Sequence, residues 1–431
     1  MAEVYMKKLF IKRILLLSAA IICLISLVYF FWPLGLPSSE SYFVNLPERT
    51  LLEDETGQWS YLRNLYSEMD ASGDSFNGWD EDQQIFWKYA IAFAAYGLPS
   101  LILIEPERKE STIYYLAVMI KKMKAKKVWK EWQDFGFGKD PICKQNIMYK
   151  GHLNLMYGLY QMVSGRQDFA KEFSYLTKLM VKELDEIHAE KKYEGIACEP
   201  NRYFVHCNAV ALMSLFIHDK VYGSTYLEDY GRRVISFMQN RMADPETGLY
   251  WKIYHPSHDT VEKYPSAYTN AWAMVMLRYF DPDYHEKLYQ VWKKTFAHEY
   301  LNYAYISETP TGGPSRLASL FGLWAAKEFA DQQLFIKLRN SFDRFGGLTW
   351  EQEEDVYRYE RIDNTLANGM ILAFKVHLGW KTIIEHPWKT HFTPTPSTEG
   401  MTWLDILSDE IHGQSKMSTS GDQKNIPSSS M

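Results

Sequence analysis

Apolar positions recur with helical spacing through most of this 431-residue chain. In one stretch, steps of three and four residues place Met148, His152, Leu155, Met156 and Leu159 on one helix face. Similar periodic stretches occupy residues 82–98, 110–124, 167–187, 205–219, 226–241, 266–280, 284–297, 315–329, 331–343 and 363–378. Gly and Pro residues separate them, so the pattern predicts about ten to twelve helices with short joints.

Alternating strand patterns are scarce by comparison. Residues 250–254 are predicted to make one short hairpin strand, and nothing more. Helices with aromatic-rich faces and short joints favour a closed ring of helical hairpins, because each hairpin must bury its apolar stripe against its neighbours. The predicted fold class is therefore all-α.

The N-terminus carries a different pattern. Residues 14–32 contain no charge and follow four basic residues between positions 7 and 13. At about 1.5 Å per residue this stretch is long enough to cross a membrane. The basic flank predicts a cytoplasmic start with the body outside, in a periplasm or lumen. The aromatic end of the stretch favours an uncleaved signal anchor, and small residues after position 34 leave a cleaved, secreted form as the alternative.

These patterns divide the chain into four predicted parts. Residues 1–33 form a membrane anchor or signal, 34–54 a linker and 55–407 the helical body. Residues 408–431 are rich in Ser, Gly, Gln and Lys without apolar periodicity, so we expect a disordered tail.

Composition narrows the classes of partner. A hydrophobic content of 46%, with 16% aromatic residues, is sufficient for a large core. The net charge of −6 argues against a nucleic-acid partner, which would need clustered Lys and Arg. The one basic run, at 121–127, is predicted to be a solvated helix face.

Two cysteines stand in the most informative stretch, residues 198–208. Pro200 cannot lie inside a helix, so Cys198 is predicted on a loop and Cys207 in or just before the first turn of the next helix. The helix dipole favours a thiolate there, and His206 could act in the same way if its ring turned inward. The alternatives are two small buried hydrophobic side chains or a structural disulfide. No CxxC pair occurs, which disfavours zinc.

His152 and several aromatic residues offer further chemistry. Met148 and His152 share an apolar helix face, where a histidine suits either a hydrogen-bonded core position or a proton shuttle beside an apolar ligand. Tyr268 opens another predicted helix. Further aromatic faces come from Tyr203, Phe204 and Trp272. Singly these rings are typical of core packing, but together they suit a cationic intermediate, which each face stabilises by about 0.5–2 kcal/mol.

Residues 88 to about 379 resemble the linalool dehydratase-isomerase family. The motifs that carry the resemblance are residues 88–93 (KYAIAF), 136–138 (GFG), 140–142 (DPI), 146–161, 198–200 (CEP), 203–205 (YFV), 207–208 (CN), 254–256 (YHP), 266–269 (SAYT), 331–335 (DQQLF) and 375–377 (KVH). The resemblance implies an (α/α)6 barrel, assembled as a homo-oligomer. It also implies an apolar pocket at the barrel mouth that interconverts linalool, geraniol and myrcene without a metal or organic cofactor.

The resemblance and the chemistry of the side chains together assign roles to individual residues. Expected catalytic residues are Cys198, Cys207, His152 and Tyr268. Expected substrate-binding residues are Tyr89, Met148, Tyr203, Phe204, Glu199 and Trp272. The expected ligand is a small apolar alcohol or alkene.

One departure concerns an aspartate and, six residues later, a tyrosine, which the family draws from the region before the first barrel helix into a neighbouring subunit's pocket. No Asp and Tyr stand at that spacing here, although Glu55 and Tyr61 are six apart. Asn64 cannot replace a carboxylate as a proton acceptor, whereas Tyr66 or Glu68 could supply the missing group. The substrate and the direction of reaction therefore stay open.

The sequence thus predicts a terpenoid-alcohol dehydratase and isomerase. A protonated thiol or Tyr268 would protonate the departing hydroxyl while His152 or the other cysteine collects a carbon-bound proton. An allylic cation or a transient thioether would link the alcohol isomers. Three alternatives remain: a relative acting on a larger isoprenoid alcohol, a sugar-processing (α/α)6 enzyme using carboxylates such as Glu199 and Glu360, and a non-catalytic membrane-associated barrel with a disulfide.

Overall fold

A computed structural model describes residues 2–31, 39–66, 70, 72–142, 144–362, 365–388 and 395–407. The helices are α1 Ala2–Phe31, α2 Glu53–Leu65, α3 Trp87–Ile104, α4 Lys109–Lys124, α5 Lys126–Trp129, α6 Glu131–Asp134, α7 Ile147–Ser164, α8 Ala170–Glu190, α9 Val205–Tyr222, α10 Arg232–Arg241, α11 Ala267–Leu277, α12 Pro282–Phe296, α13 Arg316–Glu328, α14 Gln332–Phe345, α15 Thr365–Val376, α16 Trp380–Glu385 and α17 Trp403–Ile406. The predicted tail, 408–431, lies outside the described residues, as does Glu68.

Six helices close an inner ring. Each of α3, α7, α9, α11, α13 and α15 packs against the next, and α15 returns to α3. Helices α2, α4, α8, α12 and α14 pack outside this ring, and α10 follows a π-helical turn, Leu227–Gly231, that contacts α9. The chain is therefore mostly helical, as predicted, with inner and outer helices alternating along the sequence.

Inner and outer helices differ in their apolar pattern. Every residue of α3 except Tyr89 is buried, and Gly97 lets α3 approach α15 closely, because a Cβ there would lie 2.7 Å from Ala373 Cα. Outer helix α14 instead buries a single stripe, formed by Leu334, Phe335, Leu338 and Phe342. Among the helices whose side chains the structure describes over at least 18 residues, Glu81–Ile104 alone is long and apolar enough to span a membrane, and it is a core element with 94% of its apolar window buried.

Three short antiparallel sheets interrupt the helical pattern. Their strands are β1 Trp251–His255, β2 Thr260–Pro265, β3 Ala297–Tyr300, β4 Tyr303–Ser307, β5 Pro314–Ser315, β6 Leu348–Glu351 and β7 Val356–Tyr359. The hairpin strand predicted at 250–254 is present as β1, but the expectation that there would be no other strands was wrong. These strands have two to six residues and are held by cross-strand pairs such as Trp350 with Tyr357, so too few alternations occur for the sequence to reveal them. Each sheet precedes an inner helix and therefore lies at the amino-terminal end of the ring.

The segment before the barrel packs on the body. We predicted a linker over 34–54, and that boundary stays a prediction, but from Ser39 the chain forms a 3-10 turn that buries Tyr42 against Phe335, with ring centroids 5.4 Å apart. The Tyr42 hydroxyl donates to Asp54 Oδ2 at 3.0 Å, and Lys375 Nζ donates to the same oxygen at 2.8 Å. We call the contact of Asp54 and Tyr42 with Lys375 the α2 latch.

The candidates for the family's missing acid and tyrosine are also engaged within the chain. Glu55 is buried and accepts two hydrogen bonds from Arg49. Tyr66 is buried and its hydroxyl donates to the carbonyl of Ala90 at 3.5 Å. Asn64 faces solvent.

Candidate active site

Four of the expected site residues lie near the amino-terminal ends of four inner helices. Tyr89 lies in the first turn of α3, Cys207 in the first turn of α9 and Tyr268 at the start of α11, while His152 lies in the second turn of α7. The β-hairpins stand at the same end, so the site occupies the hairpin-rimmed mouth of the ring.

A clamped loop brings Cys198 to Cys207. The Asn208 side chain donates to the carbonyls of Ile196 and Phe204, at 2.9 and 3.1 Å, and accepts from the Ile196 N–H at 2.8 Å. The Cys198 N–H donates to the Arg202 carbonyl at 2.8 Å, closing the turn between them. One amide side chain thus ties the loop that carries the first thiol to the helix that carries the second.

Gly195 makes this clamp sterically possible. Its φ of +106° is a conformation that L side chains rarely adopt, and a Cβ there would lie 2.6 Å from the Tyr203 ring and 2.7 Å from Asn208 Oδ1. A larger residue would push the amide clamp away from the loop.

The two thiols are buried, free of disulfide and hydrogen-bonded to each other. Burial and the hydrogen bond shared with Cys207 raise the pKa of Cys198 well above its ordinary value. Burial also opposes ionisation of Cys207, but the hydrogen bond from Cys198 and the charge of His206 lower its pKa to about 6. At neutral pH the pair therefore favours a Cys198 thiol and a Cys207 thiolate.

His152 stands beside the thiols among aromatic rings. It is fully buried, its Nδ1 shares a 2.5 Å hydrogen bond with the Tyr96 hydroxyl, and its Nε2 has no hydrogen-bond partner. Burial, helped by the nearby His206 and Lys88, lowers the pKa of His152 to about 3. At neutral pH this imidazole is uncharged and has one ring nitrogen available.

An aromatic wall surrounds this imidazole. Trp272 is its centre, with ring centroids 4.4 Å from His206, 5.5 Å from His152 and 6.1 Å from Tyr89. Phe321 stacks on Trp272 at 5.0 Å with an interplanar angle of 8°. The wall can stabilise a delocalised cation while keeping water out.

The expected substrate-binding residues separate into two groups. Tyr89, Met148 and Trp272 lie together with His152, and the Tyr89 hydroxyl contacts the Met148 sulfur. Phe204 lies 5.3 Å from the His206 ring. Tyr203 is fully buried in a second cluster with Tyr193, Phe237 and Tyr254, and Glu199 is half-buried and pairs with Arg202.

Sequence reasoning passed over several neighbours of the site. These are Lys88, Phe93, Tyr96, Asn208, Glu308 and Phe321. Lys88 was visible only as a motif letter, although it is a buried cation that pairs with Glu131 and whose field reaches Cys207. Glu308 lies 101 residues beyond Cys207 in the sequence, and no spacing rule could connect them.

The carboxylates of the sugar-enzyme alternative do not form a pair in the described residues. Glu199 is held by Arg202 on the loop, while Glu360 is exposed and lies 3.9 Å from Arg358. Within the part of the chain that the structure describes, no group of three or more His, Cys, Asp or Glu side chains is arranged to hold a metal ion.

Comparison with known proteins yields one family and a set of similar folds. The model of the family described as linalool dehydratase/isomerase matches residues 88–365. A crystal structure of D-mannose isomerase is similar with a TM-score of 0.50 at 10% identity, over 75% of this chain and 95% of that one.

Two further similar structures are hydrolases. The GH76A alpha-1,6-mannanase from Salegentibacter sp. HEL1_6 has a TM-score of 0.47 at 12% identity, over 77% of this chain and 99% of that one. An unsaturated glucuronyl hydrolase specific for heparin has a TM-score of 0.47 at 10% identity, over 75% and 95%. At these identities a likeness concerns the fold and not the chemistry.

Proposed function

Because this chain belongs to the linalool dehydratase/isomerase family, we propose that it removes water from, adds water to and isomerises an acyclic allylic terpenoid alcohol of the linalool and geraniol type, giving a myrcene-like alkene on dehydration. The reaction uses the protein's own acid and base groups. The observation that carries this proposal is the buried thiol pair whose two pKa values are shifted in opposite directions.

The opposite shifts assign the two thiols. Cys198 holds its proton and donates it to the leaving hydroxyl, so that the C–O bond breaks and water departs. The Cys207 thiolate then takes a proton from the carbon next to the allylic cation, and the C=C bond of the alkene forms. Cys207 is left as a thiol and Cys198 as a thiolate, and a proton passing along their mutual hydrogen bond restores the starting state.

Isomerisation shares the first half of this reaction. The allylic cation is delocalised over two carbons, so return of water to the other carbon converts a tertiary alcohol into a primary one. Water gives up a proton in that step, and the Cys198 thiolate accepts it. The faces of Trp272, Tyr89 and Phe321 support the cation, since each ring contributes about 0.5–2 kcal/mol.

His152 and Tyr268 have supporting roles in this proposal. The neutral His152 imidazole offers its unpaired Nε2 to the substrate hydroxyl or to the departing water. Burial, together with the charge of Glu308, raises the pKa of Tyr268 above its ordinary value, so its hydroxyl serves as a hydrogen-bond donor and not as a base.

Membrane attachment is a further part of the proposal. The large side chains of α1 between Ile14 and Ile25 are apolar and exposed, as a membrane-inserted helix requires. We place the body outside the cytoplasm as a homo-oligomer. Detergent-dependent extraction of the full chain and a protease-accessibility assay on intact cells test this placement, and a full-length protein recovered in the soluble cytoplasmic fraction contradicts it.

The decisive experiment incubates the purified protein with linalool, geraniol and myrcene separately and follows each by gas chromatography. We expect linalool to yield both geraniol and the alkene, with no added metal or organic cofactor. A longer allylic alcohol and a mannose-isomerase assay run in parallel. Turnover of the longer alcohol alone redirects the proposal to larger isoprenoids, and turnover of sugar alone refutes it.

A further inference from the structure

Glu308 brings a carboxylate of the chain itself to the site. It follows β4, and its backbone carbonyl accepts from the Ala267 N–H at 3.0 Å, which fixes it at the start of α11. Ser266 Oγ donates to Glu308 Oε1 at 2.5 Å, while Oε2 is buried without a hydrogen-bond partner. One oxygen therefore secures the side chain and the other is left over.

The charge of His206 acts both on this carboxylate and on the Cys207 thiol. Its side chain is only 5% exposed, and its Nδ1 has no hydrogen-bond partner. The ring lies 4.4 Å from Trp272 and 5.6 Å from Tyr268, the residue whose N–H also donates to Glu308. The same imidazole adjoins Cys207 in the chain and lowers the pKa of that thiol.

We propose that Glu308, His206 and Cys207 form one acid–base chain, in which the Glu308 carboxylate favours a protonated His206 and the imidazolium favours the Cys207 thiolate. In its formation one proton moves from Cys207 Sγ to the imidazole, and no other bond changes. The order of thiol, imidazole and carboxylate is the general logic of an activated nucleophile or base. Glu308 is a positioning residue, since it acts through His206.

The charges around the chain support this arrangement. Glu308 faces Lys252 and His206, whose charges favour its ionised form against burial, which raises its pKa. Cys207 faces Cys198, Glu199 and the field of Lys88.

Further titratable groups face the imidazole itself. The buried His152 interacts with it and is uncharged at neutral pH, and the Tyr268 ring packs against it as a neutral phenol. Among these neighbours Glu308 is the carboxylate that interacts with His206.

Glu308 could also supply the carboxylate that the family takes from the Asp and Tyr pair upstream of the barrel. Glu55 is committed to Arg49, and Asp54 to the α2 latch. Glu308 instead offers an unpaired carboxylate oxygen at the mouth, from the same chain as the thiols. The effect on turnover rests on the proposed function, whereas the effect on Cys207 does not.

The test uses Glu308→Gln in the full chain, which keeps an oxygen acceptor for Ser266 and removes the charge. The probe is iodoacetamide, and the rate of Cys207 alkylation is followed by peptide mass spectrometry between pH 5 and 8. We expect alkylation at pH 6 to slow by at least about threefold, because the imidazolium loses its counter-charge and the thiolate is less populated. An unchanged or faster rate overturns the proposal.

Two further variants separate coupling from a structural effect. Glu299→Gln is the matched control, since Glu299 lies in the same sheet but pairs with Lys293 and Lys337 away from the thiols. It should leave Cys207 alkylation unchanged. In a His206→Phe background, Glu308→Gln should have no further effect on Cys207, whereas an additive effect would show that the carboxylate does not act through His206.

Turnover completes the experiment. If linalool is a substrate, Glu308→Gln should lower kcat by about tenfold or more with little change in KM, and Glu308→Asp should recover part of it. A protein that turns over no terpenoid but shows coupled Cys207 alkylation refutes the proposed substrate and leaves the acid–base chain standing.

Discussion

Two buried polar regions of the protein, the α2 latch and the mouth of the ring, differ in how their polar groups are paired. In the α2 latch each charge has an opposite partner: Lys375 meets Asp54 at 2.8 Å and Asp343 at 3.7 Å, and the Tyr359 hydroxyl donates to Asp343 at 2.6 Å. At the mouth, His152 Nε2, His206 Nδ1 and Glu308 Oε2 are buried without hydrogen-bond partners. The latch also buries Asp54 Oδ1 and Asp343 Oδ2 without hydrogen-bond partners, but both atoms belong to carboxylates whose charge Lys375 balances.

The difference separates structure from function. A buried charge costs several kcal/mol unless it is paired, so a paired network holds elements together. Unpaired polar atoms in a buried site are costly to folding and are retained where a substrate or a proton occupies them. The latch therefore holds α2 on the barrel, and we infer that the mouth is the reactive region.

Removing a thiol is the change with the largest expected effect at the mouth. Cys198→Ala and Cys207→Ala should each lower kcat for linalool dehydration by about 10³-fold, because each removes one of the two proton-transfer groups. Thermal stability should fall much less. The control is Cys23→Ala, which lies on α1 and should leave kcat unchanged. Full activity in both site variants would contradict the thiol mechanism.

Breaking the latch should have the opposite effect, a large loss of stability with little change in kcat. Lys375→Met leaves Asp54 buried without its cation and leaves Asp343 with Arg339 alone, so the free energy of unfolding should fall by about 3–5 kcal/mol. Activity per folded molecule should be retained at a permissive temperature. Thermal denaturation and kcat measured on the same sample check both statements.

A surface lysine provides the control for the latch. Lys144→Met removes an ion pair with Glu186 that lies in solvent, so the free energy of unfolding should barely change. A latch variant that folds normally but loses kcat would mean that the two regions are not independent.

The sequence was sufficient to predict the inner helices and the main residues of the mouth. Helical periodicity located the inner helices, and the family motifs identified Cys198, Cys207 and His152, all of which the fold brings to the mouth. Family membership over 88–365 was also predicted correctly. These features are local in sequence or are carried by contiguous motifs, which is why they could be read from the chain.

The features that the sequence did not predict, in both regions, depend on contacts between residues far apart in the chain. Asp54 and Lys375 are 321 positions apart, and Asp54 lay in a segment predicted to be a linker because it has no apolar period. Glu308 and Tyr96 meet the site only after the ring closes. The hairpins were missed because strands of a few residues lack enough alternations, and their pairing partners supply the missing information.

The pH dependence sharpens the assignment of the two thiols. The base must be ionised, so kcat/KM should fall about tenfold per unit below the Cys207 pKa of about 6. The acid must be protonated, so activity should fall again only above the raised pKa of Cys198.

His152 should not contribute a limb to this profile. Its pKa of about 3 keeps the imidazole neutral across the range. A profile from pH 5 to 10 with linalool provides the measurement. If activity fell as the pH rose from 6 to 8, the Cys207 thiolate could not be the base of the reaction.

The smallest expected effect concerns the aromatic wall. Trp272→Leu removes the ring that lies between His206, His152 and Phe321, and should lower kcat by about tenfold, corresponding to the roughly 1–2 kcal/mol that one desolvated cation–π contact provides. Trp272→Phe keeps a ring face and should recover most of this loss, with KM similar in both variants. Equal kcat values for the leucine and phenylalanine variants would show that the wall acts only by filling space. The cation would then need another source of stabilisation, which the charge of the buried Cys207 thiolate could provide.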